Sequence, residues 1–109
     1  MLGKLGPARS AATCSLDEIQ ERVALQFGVT REDLVSQTRR SEVARARHVA
    51  MYLTRELTDE SLAAIGRGFG GRNHATVFHA HRKVTEAIRA GSSERRVIDD
   101  LEQQLAGRS

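Results

Sequence analysis

The stretch Arg72-Asn73-His74-Ala75-Thr76 gathers side chains able to read nucleic-acid base edges, directly behind four glycines at 66, 68, 70 and 71. Asparagine can pair bidentately with adenine. Histidine and threonine can bond base edges, and alanine or a threonine methyl can touch the thymine methyl. The glycines could instead cradle a phosphate. A dinucleotide fingerprint or a P-loop needs a strand before them, however, and a P-loop closes on Gly-Lys-Ser/Thr. Here a helical pattern precedes the cluster and Arg72 follows it. A tight turn between two helices fits better, because glycine accepts positive φ and lets helices approach closely. The residues after it then open a recognition helix, whose free amides and dipole also favour phosphate. A plain helical hairpin, with Asn73 only a cap and Thr76 only solvated, has the same local pattern. The pattern alone leaves both readings open.

Other chemistry finds less support. His74, His79 and His81 are separated by five, two and seven residues, and no cysteine or carboxylate stands close in sequence. A helical zinc pair wants histidines four apart with further ligands converging, so no metal and no cofactor is expected. His81 falls on an apolar stripe and reads as a packed, hydrogen-bonded histidine. Cys14, in the leader, is expected to be incidental and not catalytic, since the sequence puts no clear helix N-terminus or basic pocket beside it to activate it. No carboxylate pair, triad or nucleotide loop can be assembled from the spacing, so the chain is not expected to be an enzyme or to take a small-molecule substrate.

The elements that would carry these residues are helical. Ser15 and Glu18 make a capping box ahead of Leu16, Ile19, Val23 and Phe27, which Gly28 ends. Thr30 and Asp33 cap a short second helix, and residues 36–40 form a polar, basic loop. A third helix runs roughly from Glu42 to Leu57, burying Val43, Ala46, Ala50, Leu53 and Leu57. Thr58, Asp59 and Ser61 compete to cap a fourth, with Leu62, Ile65 and Phe69. Asn73 caps a fifth reaching about Ala90, with Val77, His81, Val84 and Ile88 on one side. Gly91 and Ser92 break it, and Ser93 opens a last helix with the stripe Val97, Leu101, Leu105. Neither a strand pattern nor a repeat occurs. The expectation is an all-α, single six-helix domain over 15–107 behind a flexible leader, 1–14.

Length and charge agree with one basic-faced domain. The chain has 109 residues, with 39% hydrophobic and only 4% aromatic, and a net charge of +3. Residues 37–91 hold ten basic and five acidic side chains, whereas both flanks are slightly acidic. A basic excess confined to the middle points to a polyanionic partner, with a merely solvated basic face as the alternative. One cysteine excludes an intrachain disulfide and suits a reducing compartment. Without an apolar run of 18 residues or a signal-type start, the chain is expected to be cytoplasmic, nucleoid-associated and unattached to membrane.

The stretches Val43–Leu53, Glu56-Leu57-Thr58, Ile65-Gly66 and Phe69-Gly-Gly-Arg-Asn-His-Ala-Thr-Val77 closely resemble the C-terminal DNA-binding domain of the bacterial replication initiator DnaA. The resemblance runs from about Ser15 to Leu105. It implies a Trp-repressor-like helix-turn-helix that binds short asymmetric boxes in double-stranded DNA, one molecule to a box, at replication origins. It also implies roles by position. Arg39, beside Arg40, matches an arginine that enters the minor groove. Arg47, His48 and Arg55 match positions near the DNA around the long helix. Arg72 belongs to the signature turn, Asn73, His74, Ala75 and Thr76 match the major-groove readers, and His79 matches a nearby contact. Arg47 and Arg55, about two turns apart, are expected to face one phosphate track.

Three departures stand out. The family usually has aspartate at Asn73, threonine at Ala75, and proline with glutamine at Ala46 and His48. Asparagine in place of aspartate and a lost threonine hydroxyl predict a box that differs from the family's at one or two base pairs. The ATPase module of full-length members has no counterpart here. That leaves an isolated domain or a standalone protein, and the Met1 start leans toward the latter. A transcriptional regulator reusing the reader, or an interaction domain that has lost DNA binding, are the alternatives; basic residues retained at Arg39, Arg47, Arg55 and Arg72 count against the last.

Overall fold

A computed structural model describes residues 14–91 and 93–106 of the chain. Among these, six helices and no strand occur: α1 (Leu16–Phe27), α2 (Arg31–Val35), α3 (Ser41–Leu57), α4 (Leu62–Gly68), α5 (His74–Arg89) and α6 (Ser93–Ala106). The expected leader at 1–13 and the break at Ser92 lie outside the described residues.

Local chemistry sets the helix starts. Ser15 and Glu18 form the capping box of α1, and Thr30 and Asp33 that of α2, each satisfying amides the helix cannot pair itself. Of the three competing caps before α4, Ser61 does the work, accepting from the Ala64 amide. Thr58 closes α3 instead, its hydroxyl donating to the Thr54 carbonyl.

α3 is the central helix and packs against all five others, most extensively α5 and α1. Val43, Ala46, Val49, Ala50, Met51 and Leu53 are fully buried along it, and Ile19, Leu34, Ile65, Phe69, Val77 and Leu101 close the core around it. Phe69 lies just past the end of α4 and not within it, and it is completely buried. Deleting a ring of that kind from a packed core costs about 3–5 kcal/mol.

Three expectations shift. Cys14, assigned to the leader, is 6% exposed and belongs to the core. It precedes the N-cap while Ile19 stands at the fourth helical position, the two places of a hydrophobic staple. In α6 the inward stripe is Ile98, Leu101 and Leu105, with Val97 only half-buried. The fifth helix turns Ala80 inward between Val77 and Val84, and His81 sits at the edge. Its ring stacks on Tyr52 at 4.8 Å and bonds Glu56 at 2.7 Å.

Candidate nucleic-acid interface

The turn from α4 to α5 depends on two glycines for different reasons. A Cβ on Gly66 would lie 2.0 Å from the Arg72 carbonyl oxygen, because the turn doubles back so that the Arg72 amide donates to the Gly66 carbonyl at 2.9 Å. Gly70 has φ +86°, and a Cβ there would lie 2.1 Å from the Val35 carbonyl. The turn is thus seated on the C-terminal end of α2, next to the basic loop at 36–40.

At the start of α5, Asn73 is the N-cap. Its Oδ1 accepts from the Thr76 amide at 2.9 Å and from the Thr76 hydroxyl at 3.1 Å. Both acceptor positions of that oxygen are therefore used within the helix. Bidentate pairing with adenine needs the same oxygen as an acceptor, so the cap and that readout compete. The Nδ2 donor has no acceptor among the described residues and is the part of Asn73 open to solvent. His74, Ala75, Thr76 and His79 are all exposed, with Ala75 and His79 on the side of α5 away from buried Val77, Ala80 and Val84. Phe78, half exposed, stands edge-on to His79 at 5.6 Å.

The basic residues divide into two groups. Arg39, Arg40 and Arg55 are exposed, Arg40 with a loose ion pair to Asp33 at 3.6 Å. Arg47 is not: it is 6% exposed, and its guanidinium points into backbone carbonyls. Nε donates to Leu34 at 2.8 Å, and Nη2 lies 3.0, 3.2 and 3.3 Å from the carbonyls of Asp33, Ser36 and Thr38. These are the carbonyls at and beyond the end of α2, where the helix runs out of amides to pair them; that of Asp33 also accepts from the Ser36 amide and hydroxyl. The expected shared phosphate track with Arg55 therefore fails on geometry. Eight helical residues also rotate the two side chains about 80° apart. Arg72 behaves like Arg47. It is half-buried, with Nη1 donating to the Phe69 carbonyl and Nη2 to Ser36 at 2.8 Å. Burial lowers the pKa of both guanidiniums, and the Arg72 charge adds to the effect on Arg47.

A groove brings together Arg39, Arg45, His48 and Lys83, lined also by Ser41, Ala44 and Glu94. Arg45 spends its charge on Glu94 at 2.7 Å. His48 is half-buried, and its pKa is pushed down by burial first, then by Lys83, Arg47 and Arg72. Lys83 was not among the residues expected from sequence. Its signal was available, since it lies four residues after His79 on the same exposed face of α5.

Residues 16–84 match the family described as the bacterial dnaA protein helix-turn-helix. The chain belongs to the DnaA helix-turn-helix family. Curated relatives include the chromosomal replication initiator protein DnaA of Lactiplantibacillus plantarum, 45% identical over 91 residues, covering 84% of this chain and 20% of that protein. The same-named protein of Levilactobacillus brevis is 39% identical over 104 residues, covering 95% and 23%. A solved structure described as a DNA replication initiation factor superposes with a TM-score of 0.75 at 34% identity, covering 89% of this chain and 30% of that one. The chain thus spans about a fifth to a quarter of the curated DnaA relatives it matches. No described helix is long and apolar enough to cross a membrane. Among the described residues no group of three or more histidine, cysteine or acidic side chains could hold a metal ion.

Proposed function

We propose that this domain binds double-stranded DNA sequence-specifically, at short asymmetric boxes of the kind read in replication initiation, one molecule to a box. The observation that carries the reading is the start of α5. A family-type turn presents His74, Ala75, Thr76 and the Asn73 Nδ2 at an exposed helix N-terminus, beside a loop bearing exposed Arg39. His74, Ala75, Thr76 and Asn73 read base edges in the major groove, and Arg39 enters the adjacent minor groove, where a narrow A·T tract attracts a guanidinium. Arg55 and Lys83 neutralise phosphates, His79 adds a nearby contact, and Arg40 lies at the margin. His48 sits among cations, so it serves as a neutral hydrogen-bonding group in the free protein. Catalysis, a small-molecule ligand and a metal have no part in this reading, and the protein works in the cytosol on the nucleoid.

Fluorescence anisotropy on a labelled duplex carrying a family-type box, with a scrambled duplex as control, tests it. Log affinity should fall linearly with log salt, by about 0.9 for each phosphate neutralised. The box should bind at least about a thousandfold more tightly than the scrambled duplex. Equal affinity for both, or affinity indifferent to salt, would overturn the proposal, as would an obligate dimer on a palindrome.

A further inference from the structure

We infer that Arg47 and Arg72 form one clamp on the Ser36 carbonyl, and that they serve DNA recognition by fixing the Arg39 loop against the turn before α5, not by touching phosphate. The inference rests on the DNA-binding reading above. The Ser36 oxygen receives both guanidiniums, from Arg72 at 2.8 Å and from Arg47 at 3.2 Å. Through Phe69, Arg72 ties that oxygen to the recognition turn. Through Thr38, Arg47 ties it to the residue immediately before Arg39. One carbonyl is therefore the junction between the two parts of the protein that would enter two different grooves.

Otherwise the loop is held by short-range bonds. Ser36 Oγ donates to the Asp33 carbonyl and accepts from the Thr38 amide, and the Arg40 amide donates to Thr38 Oγ1. Those contacts shape the loop but do not say where it lies relative to α5. The seat of Gly70 on the Val35 carbonyl brings the backbones close, and the two guanidiniums supply direction. Placing two like charges on one oxygen is an expensive way to gain stability alone, since partly buried cations are desolvated and repel each other. The planar fork is what the geometry uses: Arg47 bonds through Nε and Nη2 at once, and Arg72 splits its two terminal nitrogens between Phe69 and Ser36. A lysine keeps the charge but has no fork.

That difference supplies the test. Binding of wild type, R47K, R72K, R39A and the two doubles, R39A/R47K and R39A/R72K, is measured on the box duplex across a salt series, with circular dichroism melts as the fold control. Salt-dependent, box-selective binding by wild type establishes the underlying reading first. Its absence would count against that reading and not against the clamp. For the clamp, each lysine variant should lose about tenfold in affinity, the scale of one arginine contact, with the salt slope unchanged. Each should also relax the preference at the A·T positions that R39A relaxes. In the R39A background the same swap should change affinity less than about twofold, because there is no longer an Arg39 to misplace. Full-strength binding by both lysine variants would overturn the clamp in favour of plain charge. So would losses that add undiminished to R39A. R72K, at a half-exposed position, guards against a core failure in R47K; unfolding of both would also overturn the inference, since the pair would then serve the fold alone.

Discussion

Changing Asn73 to aspartate should leave the fold intact and alter which base is preferred. The Asn73 Oδ1 caps α5 by accepting from the Thr76 amide and hydroxyl, and an aspartate oxygen can accept both. Asparagine and aspartate are about equal as N-caps, and a negative charge at a helix N-terminus is favourable by about 0.3–1 kcal/mol. N73D should therefore melt at or slightly above the wild-type temperature. N73A, which deletes the cap, should lose about 1 kcal/mol, or roughly 4–8 °C for a domain of this size. On DNA the substitution removes the one donor that faces outward and offers only acceptors. Wild type should favour a base presenting an acceptor in the major groove, such as guanine O6 or N7 or thymine O4; N73D should favour cytosine N4. A mismatched base pair at one position costs about 1–3 kcal/mol, so the affinity ratio between the matched and mismatched duplexes should move by about 5- to 150-fold. The added negative charge weakens binding to every duplex alike, and the ratio cancels it. Competition anisotropy against the four single-base variants at each box position gives the ratio directly. An unchanged rank order of bases in N73D would refute the reasoning, and so would an N73A protein that melts like wild type.

Three further outcomes follow from the same geometry. Gly66→Ala puts a Cβ 2.0 Å from the Arg72 backbone oxygen, which must force the turn open. Overpacking against backbone should cost about 1–3 kcal/mol, and an unchanged melting temperature would contradict the close approach. His48 has its pKa lowered by burial and neighbouring cations, so the unfolded chain takes up the proton first. Stability is then full above the ordinary histidine value near 6.5 and falls as the pH drops below it; denaturant melts from pH 7 to 5 should show a shallower loss in H48Q than in wild type. His74→Ala should lower affinity for the box by about 1–3 kcal/mol while leaving the scrambled duplex nearly unaffected, and equal losses on both would move His74 from base reading to backbone contact.

What the sequence makes legible is what local chemistry decides. The caps at Ser15, Thr30 and Asn73 are read correctly because each rests on side chains within three residues of the amides they bond. The α6 stripe is less legible, since Val97 and Ile98 are adjacent and only the partners α1, α3 and α5 decide which edge turns inward. Gln20 is harder still. It is 1% exposed and donates to the Gly68 carbonyl, 48 residues away, while accepting from Arg31; no periodic rule puts a glutamine there. Arg47 differs from these, because the period did mark it. Four residues after Val43 and three before Ala50, it falls on the stripe that α3 buries. Reading its charge as a DNA contact sets that period aside, on the general rule that an arginine is rarely buried unless paired. The partners that satisfy the rule here are the backbone carbonyls at 33, 34, 36 and 38, which have no side-chain signature and come together only where α2 ends. A cation on an apolar stripe that follows a very short capped helix should therefore be weighed first as the partner of that helix's open carbonyls. The exposed arginines, Arg39 and Arg55, can then be weighed as partners of DNA.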